Sequence, residues 1–174
     1  MKTVVIGPRP AELDEILTRR HALGHDGYDE VWKGDYHMAP MAHPWHGYVQ
    51  NQITSELARY VKSAGLFSMG PFNLGEPDDF RVPDGGVHRH IPATPFVATV
   101  AMVIEVVSPG DESWEKFGFY AARGVEEILI ADPTERTIAM FVRAGAEFER
   151  TDRSELLGVT AEVLRAAIAW PGTP

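Results

Sequence analysis

The chain has 174 residues and contains no cysteine. This absence excludes disulfide scaffolds, zinc sites built from thiolates and catalysis by a thiol nucleophile. The lack of cysteine fits a cytoplasmic location. We expect that location because residues 1–17 have neither the apolar core nor the small-residue cleavage site of a secretory signal. No apolar run approaches the length that crosses a bilayer, so we expect no membrane association.

Basic residues are also scarce. Lysine and arginine number 16 against 25 aspartates and glutamates, and the formal net charge is −9. Proteins that bind nucleic acid normally present a basic surface to the phosphates. A phosphate ligand would therefore need a local basic patch or a bridging metal ion. The length and the hydrophobic content of 44% are typical of one globular domain, which we predict to cover residues 1–174.

The familiar phosphate-binding and nucleophile motifs are absent as well. The sequence has no Walker pattern, no GxGxxG that opens a helix after a strand, and no GxSxG elbow. Carboxylates and histidines are the remaining candidates for chemistry. The carboxylates and histidines that interrupt apolar segments are therefore the residues most informative about function.

Hydrophobic spacing and turn residues predict one α/β (α+β) domain, with a mixed β-sheet flanked by helices. The most apolar segment, residues 94–108, is rich in valine and isoleucine and is typical of a central strand buried on both faces. Helices are predicted at 10–24, 43–65, 111–124 and 160–170, with Asp111 as a cap, and strands at 28–39 (a hairpin), 66–69, 72–74, 80–87, 126–132, 137–145 and 146–152.

Three residues near the predicted central strand are candidates for a site. Asp84, in "RVPDGGV", either forms a simple turn or presents a carboxylate beside two glycines that allow close approach. Glu105 interrupts the central strand. A carboxylate there must be paired, hydrogen-bonded or metal-bound, unless it reaches solvent or an arginine at the strand end. Lys116 follows the Ser108-Pro109-Gly110 break and is either a surface lysine or a cation directed back over that end.

Together these residues indicate a more specific chemistry than any one of them alone. Two carboxylates on neighbouring strands offer oxygen ligands to Mg²⁺ or Mn²⁺. A nearby ammonium can orient water or offset charge on a phosphate, and a metal ion lowers the pKa of bound water. This combination suits hydrolysis of a phosphodiester.

Residues 28–143 resemble the Uma-two-type restriction endonuclease-like family of the PD-(D/E)XK nuclease superfamily. The segments that carry the resemblance are "YDEVWKGDYHMAP", "HPWHGYVQNQITSEL", "RVPDGGV" and "MVIEVVSPGDESWEKFGFYAARGVEEILIADPTER". The resemblance implies a restriction-endonuclease-like fold and a metal-dependent endonuclease that acts on DNA. For such an enzyme we expect a homodimer, because double-strand cleavage commonly uses two copies and paired sites suit two-fold symmetry.

The resemblance assigns roles to individual residues. It implies that Asp84 and Glu105 are catalytic carboxylates that bind the metal, completed by the backbone carbonyl of Val106. The superfamily lysine would fall at Val107, and Lys116 is the expected catalytic substitute. His46 matches a histidine that begins a helix and is expected to contact metal or substrate, unless it only caps or packs.

Three further residues are candidates for binding substrate or metal. Tyr120 lies four residues after Lys116 on the same helix face and is a candidate for substrate binding. His88 and His90 would share one face of a strand, which is the spacing of a cupin metal site. Cupins also need a nearby glutamate and a later histidine, and neither follows His90 in the sequence.

Two hypotheses therefore stay open. The first is an Mg²⁺-dependent deoxyribonuclease. The second is a catalytically inactive member of the same fold that serves as a binding or assembly module. The net charge of −9 favours the second hypothesis, as does Val107 at the usual lysine position.

Overall fold

The computed structural model describes residues 11–40, 42–108, 110 and 112–172, and also the backbone of residues 3–5. The predicted cap Asp111 and the middle residue of the break, Pro109, lie outside these residues. The helices are α1 (Ala11–Ala22), α2 (Pro44–Ser63), α3 (Phe117–Ala122) and α4 (Ala161–Ala167), with a 3-10 turn at Ser113–Lys116. The strands are β1 (Thr3–Val5), β2 (Glu30–Trp32), β3 (Asp35–Met38), β4 (Phe67–Met69), β5 (Asn73–Glu76), β6 (Asp79–Arg81), β7 (Gly85–His88), β8 (Phe96–Val97), β9 (Met102–Val106), β10 (Glu127–Asp132), β11 (Thr137–Ala144), β12 (Glu147–Thr151), β13 (Arg153–Ser154) and β14 (Val159–Thr160).

The strands form two mixed six-stranded sheets and one small hairpin. The first sheet has the order β1-β3-β2-β6-β5-β8, and the second has the order β12-β11-β10-β9-β7-β4. In the second sheet β9 and β10 are parallel, with Glu105 opposite Ile130, while β7 runs antiparallel to β9. All five residues of β9 are buried, which confirms the central strand expected from its apolar sequence.

Successive residues of β9 face two different cores, because side chains alternate across a strand. Met102, Ile104 and Val106 belong to a core shared with α2 and α4. Val103 belongs to the opposite core, which includes Tyr120 of α3. Glu105 points to the same face of the sheet as Val103, which is the face that packs against α3. The interruption in the apolar run is therefore confined to one face of the sheet.

Helix α2 supplies most of the helical contribution to the first core. Val49, Ile53, Leu57 and Val61 recur at helical spacing, and all four are buried. Gly65 follows the helix with φ +68°, a left-handed conformation that glycine adopts without steric cost. The predicted helix, its buried face and its glycine stop are all confirmed.

The structure differs from the predicted elements in four places. The segment predicted as one central strand, residues 94–108, contains β8 of the first sheet and β9 of the second, and only β9 is the buried central strand. The helix predicted at 111–124 is a 3-10 turn at Ser113–Lys116 followed by the short α3. Helix α1 forms as expected but has no buried side chain, and Ile16 is exposed. The single strand predicted at 80–87 is divided into β6, in the first sheet, and β7, in the second. Residues 82–84 connect the two sheets, so Asp84 lies outside the regular β-ladder. No helix among the described residues combines the length and apolar character needed to cross a membrane.

The two glycines after Asp84 allow close packing inside the protein. A Cβ atom at Gly86 would lie 2.7 Å from the Phe72 ring and 3.1 Å from the carbonyl oxygen of Met102. Gly85 is similarly close to the Met69 carbonyl, at 3.1 Å. The space left by Gly86 is therefore filled by Phe72 and not by an external group.

We predict that Gly86→Ala destabilises the protein by about 1–3 kcal/mol, because the added methyl overpacks a filled site. The measurement is the free energy of unfolding in urea. Gly47→Ala is the matched control: nothing lies within 4 Å of its added Cβ, and alanine is the better helix former. An equal response of the two variants would contradict the packing role of Gly86.

Candidate active site

The candidate site lies at the carboxyl end of β9, on the side of the sheet that faces α3. Glu105 is only 3% exposed, although a carboxylate strongly favours water. Glu105 therefore reaches neither solvent nor an arginine, which excludes the simpler alternative for this residue. Its partners are Lys116 and Tyr120.

Lys116, at the last position of the 3-10 turn, extends its ammonium between two buried carboxylates. Its Nζ atom lies 3.1 Å from Oε1 of Glu105 and 2.8 Å from Oε1 of Glu30. Burial alone would lower the lysine pKa, but the two negative charges outweigh it and raise the pKa above the usual value. Lys116 is therefore a buried, protonated cation and not a surface lysine.

Glu30 is a site residue that the sequence analysis missed. It lies on β2 of the first sheet and is buried. Besides Lys116, its carboxylate accepts hydrogen bonds from the Val82 N–H at 2.9 Å and from the Trp32 indole at 2.6 Å. Like Glu105, it is an acidic residue inside a predicted strand, and this feature could have marked it as a candidate. Its role in the site comes from the contact with Lys116, which is distant in the sequence.

Tyr120 forms a hydrogen bond to Glu105 from within the core on the α3 side of the sheet. Its hydroxyl donates to Oε1 of Glu105, and its side chain is fully buried. Burial and the adjacent Glu105 raise the tyrosine pKa well above 10, so the hydroxyl keeps its proton and stays a donor. This position suits a residue that orients Glu105, whereas a substrate contact would need an exposed ring.

The surroundings of Glu105 disfavour the ionised form of its carboxyl group. Burial is the largest cause that raises its pKa, to about 7, and the negative charges of Asp84 and Glu30 act in the same direction. The Lys116 ammonium and the Tyr120 hydroxyl oppose this rise. Three carboxylates thus act on one another around a single ammonium, and an additional cation nearby would lower the cost of ionising Glu105.

Asp84 reaches the same place from the connection between β6 and β7. The last pair of the β7–β9 ladder is Gly85 with Ile104, and Asp84 and Glu105 lie one step beyond it. Oδ2 of Asp84 accepts a hydrogen bond of 2.7 Å from the Val106 N–H, so the carboxylate continues the ladder in place of a backbone group. Asp84 is largely buried, which distinguishes it from an ordinary exposed turn residue.

Helix α2 positions Asp84 from the other side. His46, in the first turn of α2, places Nε2 3.1 Å from Oδ2 of Asp84. Gln50, one turn further, donates its amide to the backbone carbonyl of Asp84. The predicted site residues Asp84, Glu105, Lys116, His46 and Tyr120 are therefore brought together, and the Val106 N–H joins them.

The other histidines do not join this group. His43 is the N-cap of α2 and accepts from the Trp45 N–H at 3.2 Å. His88 is buried with its ring 4.6 Å from that of Phe72, and burial lowers its pKa. His90 lies beyond the end of β7 and is exposed, so the two histidines do not share a strand face.

Among the described residues, no group of three or more His, Asp or Glu side chains is arranged to hold a metal ion. The cupin alternative has no support.

Comparison with known proteins gives a consistent result. Residues 24–166 match the Uma2 family, whose description is "Putative restriction endonuclease". A search of curated proteins finds no match. A similar solved structure is a crystal structure from Anabaena variabilis whose title describes a putative nuclease of the DUF820 family. It has a TM-score of 0.65 and 18% identity, and the alignment covers 80% of this chain and 90% of the other. The likeness confirms the predicted restriction-endonuclease-like fold.

We predict that Lys116→Met costs about 3–5 kcal/mol of unfolding free energy, because it leaves two buried carboxylates without their shared cation. The cost should be smaller by about 0.5–3 kcal/mol in a Glu105→Gln background, where one of those charges is already gone. Urea unfolding of the four proteins in this double-mutant cycle measures the coupling. The exposed Lys62→Met, on α2, should change stability little. Additive effects of Lys116→Met and Glu105→Gln would contradict the buried pairing.

Proposed function

Since the chain belongs to the Uma2 family of restriction endonuclease-like proteins, we propose that it is an endonuclease that hydrolyses DNA phosphodiester bonds with the help of Mg²⁺ or Mn²⁺. The observation that carries this proposal is the convergence of Asp84 and Glu105 at the end of β9, beside the buried ammonium of Lys116. Each of the three groups comes from a different part of the chain: the connection between β6 and β7, strand β9 and the 3-10 turn.

The donor set suits a hard divalent cation. Asp84 and Glu105 would hold it through carboxylate oxygens, with the Val106 carbonyl as a third oxygen ligand. Mg²⁺ keeps several of its waters and is commonly held by one or two carboxylates, so a site with few protein ligands fits it better than it fits zinc. When bound, such an ion polarises a phosphoryl oxygen and lowers the pKa of a bound water.

The residues around these ligands would orient them and supply charge. Lys116 is kept protonated by Glu30 and Glu105, and its positive charge would offset charge that builds on the phosphate. Glu30 is a positioning residue, because it fixes the lysine from the first sheet. Tyr120 fixes Glu105, and His46 with the Val106 N–H fixes Asp84. A substrate would therefore meet carboxylates whose orientation is already set.

We propose a homodimer as the quaternary form, because most soluble oligomers are two-fold symmetric dimers and such a dimer would place two of these sites in one assembly.

We predict that purified protein cleaves DNA only when a divalent metal is present, and that Asp84→Asn and Glu105→Gln each lower the rate by about 100-fold or more. Glu30→Gln should lower it by about 10–100-fold through the position of Lys116. The measurement is the initial rate of cleavage of a labelled DNA in Mg²⁺, in Mn²⁺ and in EDTA, with folding checked by circular dichroism.

Glu127→Gln is the matched control for this experiment. Glu127 is a buried carboxylate on the adjacent strand β10, but it accepts from the Ser154 hydroxyl and the Leu156 N–H and not from the candidate site. The folded Glu127→Gln protein should cleave DNA at the rate of the unaltered protein. Cleavage that survives in both Asp84→Asn and Glu105→Gln would contradict the assignment of the site.

The alternative of an inactive binding or assembly module is favoured by the net charge of −9 and by Val107 at the usual lysine position. Calorimetric titration with Mn²⁺ separates the two functions. The nuclease should bind Mn²⁺ in a way that Asp84→Asn and Glu105→Gln abolish. Absence of such binding, together with absence of cleavage, would favour the module.

A further inference from the structure

A cleft opens beside the candidate active site. Its volume is about 400 Å³, and the residues that line it include His43, Trp45, His46, Val107, Thr134 and Arg136. His46 is the residue that contacts Asp84, and Val107 directly follows the residue whose N–H holds Asp84. A strand whose phosphate reached Asp84 would therefore have a neighbouring nucleotide near His46 and this cleft.

The charge of the cleft differs from that of the rest of the protein. The chain has a net charge of −9, yet none of the described residues that line the cleft is acidic. Arg136 contributes a positive charge, and His43 and His46 contribute imidazoles. The described residues that line the cleft therefore carry no negative charge of their own, although Asp132 and Glu135 belong to the same turn as Thr134 and Arg136.

The walls of the cleft offer a surface for stacking. Trp45 is 36% exposed, and its ring meets that of His43 at 5.1 Å in an edge-to-face arrangement. An exposed aromatic face binds any nucleobase by stacking, largely without regard to sequence. In a protein with so few basic residues, stacking is the contribution to DNA affinity that does not depend on neutralising many phosphates.

The turn after β10 supplies a preformed wall. Asp132 accepts hydrogen bonds from the N–H groups of Thr134 and Glu135, at 2.8 and 3.0 Å. Arg136 has φ +54°, which non-glycine residues seldom adopt, and its guanidinium donates to the Pro171 carbonyl at 3.3 Å. These hydrogen bonds stabilise the turn, and this wall of the cleft is formed without a ligand.

The size of the cleft limits the form of DNA that can enter. A volume of about 400 Å³ is in the range of pockets that hold one small molecule. A duplex, whose major groove alone is about 12 Å wide, does not fit inside it. A single nucleotide fits when its base is not paired, either in a single strand or turned out of a duplex.

We propose that this cleft binds one unpaired nucleotide adjacent to the scissile phosphate, with Trp45 stacked on the base and Arg136 beside a phosphate. The protein should then prefer single-stranded DNA, or DNA with unpaired positions, to a regular duplex. The position of the scissile phosphate rests on the proposed function, whereas binding in the cleft can be measured without any cleavage.

The test is fluorescence anisotropy of a labelled short thymidine oligonucleotide and of a labelled duplex of equal length, with the full chain in EDTA. We expect tighter binding of the single strand. Trp45→Ala should weaken that binding by about 5- to 150-fold, the loss expected for one stacked base. Trp45→Phe should restore most of it, which a merely structural role of the indole would not predict.

Two matched controls isolate the cleft. Tyr48→Ala removes an exposed aromatic from the same helix, three residues away and outside the cleft, and should bind as the unaltered protein does. Arg136→Ala should make the dependence of affinity on salt shallower by about 0.7 in the logarithmic slope, as expected when one phosphate contact is lost from a single strand. Arg150→Ala, at an exposed position of β12, should leave the slope unchanged.

Equal binding by Trp45→Ala and Tyr48→Ala, both folded by circular dichroism, would overturn the proposal, as would tighter binding of the duplex. If this happens while metal-dependent cleavage is lost in Asp84→Asn, the nuclease function stands and only the cleft assignment fails. If single-strand binding depends on Trp45 but no metal supports cleavage, the cleft assignment stands and the nuclease function fails.

Discussion

The ammonium of Lys116, buried between the carboxylates of Glu30 and Glu105, is the interaction on which the site depends. Glu30 comes from the first sheet, Glu105 from the central strand of the second, and Lys116 from the turn that follows that strand. A buried charge is tolerated only when its partners are in place. The two sheets and the turn must therefore be positioned together, and the same pairing that joins them also fixes the groups available for chemistry.

This pairing leaves an excess of negative charge. Two carboxylates share one ammonium, and Asp84 adds a third negative charge at the end of β9, where it helps to raise the pKa of Glu105. In the function proposed above, a divalent cation held by Asp84 and Glu105 would offset this excess. In that proposal the acidic protein would attract a phosphate at this one point, beside a cleft whose described lining residues are not acidic.

Much of the site could be predicted from short-range patterns. Glu105 interrupts an apolar run, Asp84 follows a proline before two glycines, and Lys116 follows a strand-ending break, so each is conspicuous in its own segment. Glu30 is equally an acidic residue within a strand, but the residue that makes it important is distant in sequence. The spacing from Lys116 makes Tyr120 a candidate, whereas its role as a buried donor to Glu105 depends on the packing of α3 against the sheet.

The kinds of element, the buried face of α2 and the interior position of β9 follow from the spacing of apolar residues within one helix or strand, and could be predicted from it. The folded chain was needed to show that the strands predicted at 80–87 and 94–108 each divide between two sheets, that Lys116 is buried, and that Glu30 is its partner. The physical reason is that ion pairs and clefts depend on distances between segments remote in the chain, and the pattern of a single segment does not contain those distances.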